Sequence, residues 1–266
     1  MATAIDTGFN YGLPFGTRLS LIENAGFKVV ALDSRCYTSA EARKEVVKLL
    51  GQKKLSLDSV HAPFPGGDNL FSLEEEKRQD SLGQCQLAID VAAETDGKIV
   101  VVHLIPYNIP EGEVKQKMVA QGRKSLALLS GYALRKNIKL ALENGQKLDY
   151  DHVLEEFLTE FGETVVGFCY DSGHEHVQGR CFHVLVKRAS RLLTMHLHDN
   201  LGTDTHLLPG EGNIDWRLFQ KTIQAINYQG NLLLEVSQGY SRFKDPEEFL
   251  KEARERADRL TLSGAA

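Results

Sequence analysis

The 266-residue sequence predicts an α/β protein, a TIM (β/α)8 barrel. Three observations carry that prediction. Eight short apolar runs alternate with longer helical patterns, a sequence of units that fills about 250 residues in this fold. The runs are near-continuously apolar, as strands covered on both faces should be. No GxGxxG follows the first run, which argues against an open doubly wound sheet, the alternative for such a pattern. The chain reads as one domain over residues 1–266, without internal repeat, linker or low-complexity tract.

Each element has a local reason. "TAIDTG" (3–8) reads as the first strand, and "TRLSLIENAG" (17–26) as a helix ended by Gly26. "KVVALDS" (28–34) is the second strand, followed by a helix over 39–52 with Ser39 as N-cap. "LSLDSVHAPF" (55–64) is the third strand. A long helix over 72–95 opens on Ser72 and Glu75, a capping-box pattern. "KIVVVHLIP" (98–106) is the fourth strand and 113–137 its helix; "IKLALENG" (138–145) is the fifth and 149–162 its helix. "VVGFCYDSGH" (165–174) is the sixth strand, with a helix expected over about 180–190. "RLLTMHLHDN" (191–200) is the seventh, with a helix over 215–227. "GNLLLEVS" (230–237) is the eighth, and the closing helix over 245–260 carries Pro246 at its first position.

Composition narrows the class. Hydrophobic residues make up 42% and charged residues 25%, enough to build a sizeable core. The net charge of -5 gives no global pull toward nucleic acid or an anionic membrane, though a local basic groove stays open. Cys36, Cys85, Cys169 and Cys181 form no CxxC pair and read as small core residues of a reduced, cytoplasmic protein. The start shows neither a basic segment nor a long apolar run, so no signal peptide is expected. No apolar stretch approaches the ~18 residues of a membrane span. The oligomeric state stays open, a homodimer or homotetramer included.

The polar residues are placed unevenly. Of nine histidines, only His152 and His183 fall in expected helices; His61, His103, His174, His176, His196, His198 and His206 fall at strand ends or just after them. Active sites of TIM barrels gather at those ends. Glu143, Asp171 and Glu235 end the fifth, sixth and eighth apolar runs. Carboxylates beside a barrel core lose solvation and repel one another unless a cation joins them. Oxygen-rich ligands with one imidazole suit Mn²⁺, Mg²⁺ or Co²⁺; more imidazoles favour Zn²⁺. The plainer alternatives are an ion pair for the acids, a polar lining for His61 and His103, and a solvated loop for Asp204 and His206. "PGEG" (209–212) reads as turn chemistry that leaves Glu211 exposed, and Trp216 as packing for a helix start.

Taken in order, "VHAPF", "VVHLIP", "LENG", "CYDSGH", "MHLHDN", "DTHLLPGEGNIDW" and "LLLEVS" resemble the xylose isomerase-like TIM barrels. That superfamily includes sugar isomerases and epimerases, inosose dehydratases, hydroxypyruvate isomerases and endonuclease IV. The resemblance implies one metal held by Glu143, Asp171, His196 and Glu235. His196 is favoured over His198 because the family's ligand stands three residues before an acid, here Asp199. Glu143 and Glu235 are then the acid/base pair that moves a proton through an enediolate of a small sugar or polyol. His61, His103, His174, His198 and His206 are expected to bind substrate. Asp204 and His206 are expected to fold back over the mouth. A zinc endonuclease at abasic DNA would recruit His61, His103, His174, Asp204 and His206 as further ligands, and a dehydratase on an inositol-like ketone would keep the single metal. The acidic charge and the loops "HAPFPGGDN" and "HLIPYNIPEGE", poor in basic residues, oppose the nuclease.

Overall fold

The structure is a computed structural model that describes residues 1–64, 67–104 and 110–261. Its strands are β1 (Thr3–Asp6), β2 (Val29–Leu32), β3 (Ser56–His61), β4 (Ile99–Val102), β5 (Lys139–Glu143), β6 (Val166–Asp171), β7 (Leu192–His196) and β8 (Leu232–Leu234). They pair in the order β7-β6-β5-β4-β3-β2-β1-β8, parallel throughout. A bridge between Leu197 and Leu234 brings the two ends together: Leu197 N donates to Leu233 O (2.8 Å) and Glu235 N to Leu197 O (3.1 Å). The result is a nearly closed barrel with helices between the strands, as the sequence predicts.

The helices are α1 (Phe15–Asn24), α2 (Ala40–Gln52), α3 (Glu75–Glu94), α4 (Glu113–Arg135), α5 (Leu148–Glu160), α6 (Ser172–Val177), α7 (His183–Lys187), α8 (Trp216–Ala225) and α9 (Pro246–Thr261). Ser39 Oγ accepts from Ala42 N (3.1 Å), so it caps α2 as expected. Pro246 does open α9.

Alternation along the strands divides the core. One set of side chains, including Ile5, Val30, Val60, Val102, Leu142, Tyr170, Met195 and Leu234, packs outward against the helices. The other set faces inward: Ala4, Val29, Ala31 and Leu233 form one inner cluster, and Val101, Ala141 and Cys169 another. These residues fill the barrel axis and leave its upper end to whatever comes next on the same parity.

Several expectations fail for identifiable reasons. Ser72 and Glu75 form no capping box; Glu74 is the N-cap of α3, and Ser72 Oγ takes Glu74 N instead. The sixth strand stops at Asp171, because that carboxylate accepts His174 N (2.7 Å) and starts α6. His174 and His176 therefore stand on a helix. The single helix expected over 180–190 is instead the short α7, preceded by Phe182 in a left-handed conformation (φ 59°). Cys36, Cys85 and Cys169 are buried, but Cys181 is exposed. Glu211 is mostly covered and takes Ser241 Oγ and Arg242 N, tying two loops together. The expected end of the fourth strand at 105–106, and the loop residues 65–66 and 105–109, lie outside the described residues.

Candidate metal centre and cavity

Each strand ends in one polar side chain on the inward parity. Behind Ala4 comes Asp6; behind Ala31, Asp33; behind Val101, His103; behind Ala141, Glu143; behind Cys169, Asp171; behind Leu233, Glu235. His61 and His196 complete the set from β3 and β7. Eight titratable groups thus ring the C-terminal mouth. Above them opens a cavity of about 590 Å³, lined by Asp6, Asp33, His61, His103, His174, Asp204, His206 and Glu235 among others.

Four of the sequence-predicted residues meet. Glu143, Asp171, His196 and Glu235 each present a ligand atom, all within 4.8 Å of one another. His196 Nδ1 lies 2.6 Å from Glu143 Oε1 and 3.4 Å from Glu235 Oε2. Glu143, Asp171 and His196 are buried, whereas Glu235 keeps 20% of its side chain open toward the cavity.

Around this group stand five more histidines. His103 Nε2 abuts Glu143 Oε2, and His61 Nε2 lies 3.6 Å from the same oxygen. His198 Nε2 reaches Asp171 at 3.1–3.2 Å, and its ring stacks on His206 at 4.0 Å. His198 is completely buried and lies beneath the cavity, outside its lining. His174 Nε2 and His206 Nε2 flank Asp204 at 3.6 and 3.4 Å. Asp204 and His206 do fold back over the mouth: His206 Nδ1 donates to Glu235 O (2.9 Å), and His206 O accepts Ser237 N (2.8 Å). His176 lies apart, paired with Asn213 at 2.7 Å.

The electrostatics follow from the packing. Burial pushes the Glu143 carboxyl up, but the His196 and His103 rings outweigh it and hold it well below the carboxylate range. Burial pulls His196 down, and Cys169, Glu235 and Glu143 overcome it, so its imidazole sits well above the ordinary value. His61 is raised to about 9, burial being outweighed by its bond and charge contact with Glu143. His206 is raised to about 10, burial being outweighed by Asp204. Asp6 is pushed up to about 8 by burial, then by the charges of Asp33 and Glu235.

Sequence reasoning did not single out Asp6 and Asp33, although both occupy the end-of-run position that singles out Glu143. Nor did it assign supports. Asn144 clamps Asp171 from both sides, taking Asp171 N (2.7 Å) and donating to Asp171 O (2.9 Å). Gln146 donates to Asp204 Oδ2 (2.8 Å). Asp199 accepts four hydrogen bonds, from Asn200 N, Ile214 N, Gly210 N and Trp216 Nε1, and so shapes the whole 199–216 loop.

The donor set fits a divalent cation. Glu143 Oε2 is buried without an aligned hydrogen bond, and so is Asp204 Oδ1. Carboxylate oxygens left with open lone pairs around an imidazole are the ligands that such an ion takes.

A family model described as "Xylose isomerase-like TIM barrel" matches residues 19–260. The chain belongs to that family. An uncharacterized protein of Sinorhizobium fredii is 28% identical over 247 residues, covering 82% of this chain and 79% of its own. D-psicose 3-epimerase of Enterocloster bolteae is 29% identical over 217 residues, covering 76% and 69%. Among solved structures, a D-tagatose 3-epimerase-like protein superposes with TM-score 0.78 at 24% identity, covering 97% and 99%. D-allulose 3-epimerase from Methylomonas sp., in complex with D-allulose, superposes with TM-score 0.80 at 15% identity, covering 97% and 96%. These likenesses show a shared barrel.

Proposed function

We propose that the chain is a divalent-metal-dependent isomerase or epimerase of a small sugar or polyol. One observation carries the reading: Glu143, Asp171, His196 and Glu235 converge beneath a polar cavity in a xylose isomerase-like barrel. The names of the sugar 3-epimerases among its relatives point the same way. In this reading those four residues hold one ion, Mn²⁺, Mg²⁺ or Co²⁺. When bound, it supplies Lewis-acid polarisation to a carbonyl and the neighbouring hydroxyl.

The chain's own groups then divide the work. Glu235 lines the cavity and takes the proton from carbon or returns it. His103, which touches the Glu143 carboxylate and lines the cavity, exchanges the second proton with the substrate, and Glu143 holds and charges that ring. His61, His174 and His206 orient hydroxyls, and the Asp204–His206 segment limits water at the mouth.

The test is solvent-deuterium incorporation into a ketose panel, D-psicose and D-tagatose included. Metal-loaded wild-type protein should exchange one carbon-bound hydrogen. A panel without exchange, at full metal loading, would sink the proposal.

A second reading has its own support. His61, His103, His174, Asp204 and His206 all face the same cavity, more imidazole than one ion needs, which fits a zinc phosphodiesterase on abasic DNA. The lining opposes it: Asp6, Asp33, Asp149, Asp204 and Glu235 outnumber Arg35 and Lys147, a poor match for phosphates. Three zinc ions per chain and cleavage of an abasic oligonucleotide would favour that reading; about one ion per chain favours ours.

A further inference from the structure

The ring of polar strand ends continues past the four residues that meet around His196. β8 pairs with β1 in the register Leu234 opposite Ile5, so Glu235 and Asp6 stand side by side. β1 pairs with β2 in the register Asp6 opposite Ala31, and Asp33 follows two residues on, on the same face. Glu235, Asp6 and Asp33 thus form a row of carboxylates along one wall of the cavity.

The three acids are not equivalent. Asp33 spends its oxygens on Tyr11 OH (2.7 Å) and Arg35 N (2.8 Å). Glu235 faces His196 and His206 at 3.4 and 3.7 Å. Asp6 is 7% exposed, and its Oδ1 takes Gly8 N at 2.5 Å. Its Oδ2 has no hydrogen-bond partner among the described residues. The loop after it is held still: Gln238 N donates to Phe9 O (2.9 Å), and Asn10 Nδ2 donates to Gln238 Oε1 (2.6 Å). Gly8 admits the carboxylate and the Tyr11 ring so closely that a Cβ would lie 2.6 Å from Asp6 Oδ1 and 2.4 Å from Tyr11 OH. A buried acid that lines a cavity, with one oxygen fixed and the other unpaired among the described residues, is a built receptor for one polar ligand atom.

We infer that Asp6 is a specificity-determining residue whose Oδ2 pairs with a hydroxyl on the uncharged polyol tail of the substrate, beyond the carbons that react. The assignment rests on the sugar isomerase or epimerase reading. A hydroxyl both donates and accepts, so it pairs with this carboxyl in either protonation state. The acidic row also selects the chemistry of the tail: a phosphate at that end would face three carboxyl groups, whereas a free hydroxyl chain meets partners.

The experiment is a cycle between residue and substrate. D-psicose and D-tagatose, with their 4-, 5- and 6-deoxy analogues, are titrated into metal-loaded wild-type, Asp6→Ala and Asp6→Ser proteins by NMR. The serine hydroxyl can still take the amide two residues on, which protects the loop if alanine does not. Wild type should lose about tenfold in affinity when one particular hydroxyl is removed, as for a hydrogen bond to a charged or buried acid. In either variant that penalty should fall below twofold, with the metal content per chain unchanged. An equal penalty in wild type and variants overturns the assignment, as does failure of every probe to bind. Loss of an ion in the variants also overturns it, by making Asp6 a ligand. Deuterium exchange judges the reaction separately: sugars that bind with an Asp6-dependent penalty but exchange no hydrogen leave this assignment standing and sink the isomerase reading.

Discussion

At the scale of single residues, burial decides what a carboxylate does. Glu235 and Asp199 lie close in the fold and differ entirely in their surroundings. Glu235 opens to the cavity, and Glu235→Gln should lower turnover by about 100-fold or more while leaving the unfolding midpoint close to wild type. Deuterium exchange into the sugar reads the first part and urea denaturation the second. Asp199 is fully buried and takes four hydrogen bonds. Its loss leaves several buried donors unpaired, so Asp199→Ala should cost about 3 kcal/mol or more. A midpoint in urea unmoved by that change would show that the loop does not depend on it. The acid that the family pattern uses to locate His196 is thus, in this structure, a loop organiser.

At the scale of elements, close approach matters more than propensity. Asp171 ends β6 and caps α6 in one step, which turns His174 back toward the cavity. Gly173, in the first turn of α6, lies against His198: a Cβ there would stand 1.9 Å from its ring. Gly173→Ala should push His198 off Asp171, costing about 1–3 kcal/mol by overpacking. It should also weaken metal binding, measured by competition with a chelator. The same substitution at Gly83, where nothing lies within 4 Å of the added methyl, should leave metal binding at the wild-type level. Ser39 works locally: Ser39→Ala should lower stability by about 1 kcal/mol through loss of the α2 cap, with metal binding untouched.

At the scale of the whole molecule, the mouth of the barrel stores charge. In the folded, metal-free chain His61 and His206 sit at about 9 and about 10, above the value of about 6.5 for an unfolded imidazole. A raised histidine contributes stability that is fully present below about pH 6.5 and is lost as pH rises through 9 to 10. The metal-free protein should therefore unfold at lower urea at about pH 10 than at about pH 7. Metal binding runs the other way. His196, raised well above its ordinary value, must give up its proton to ligate a cation. Affinity should tighten by about tenfold per pH unit for each proton released, over the range in which release occurs. A chelator-competition curve flat from about pH 6 to 9 would remove His196 from the ligand set.

The sequence by itself determined the barrel, because eight apolar runs of strand length alternate with helical patterns over about 250 residues and no GxGxxG follows the first run to favour the doubly wound alternative. It also determined which strand ends carry Glu143, Asp171, His196 and Glu235, because an acid or imidazole at the end of an apolar run stands out. Only the tertiary structure decided which of these atoms meet. Meeting depends on parity and register: a side chain joins the ring when it lies two residues beyond an inward-facing strand residue, and joins the helix layer one residue away. Asp6 and Asp33 share that parity, yet each looks like a turn residue in a linear reading. His198 looks like a second cavity histidine, two residues along a strand that in fact ends at His196, and the fold buries it under Asp171 and His206. The loop from Asp199 to Trp216 likewise shows many polar residues in sequence. Long-range hydrogen bonds sort them into one that holds the loop, two that close the mouth, and one, Glu211, that joins it to its neighbour.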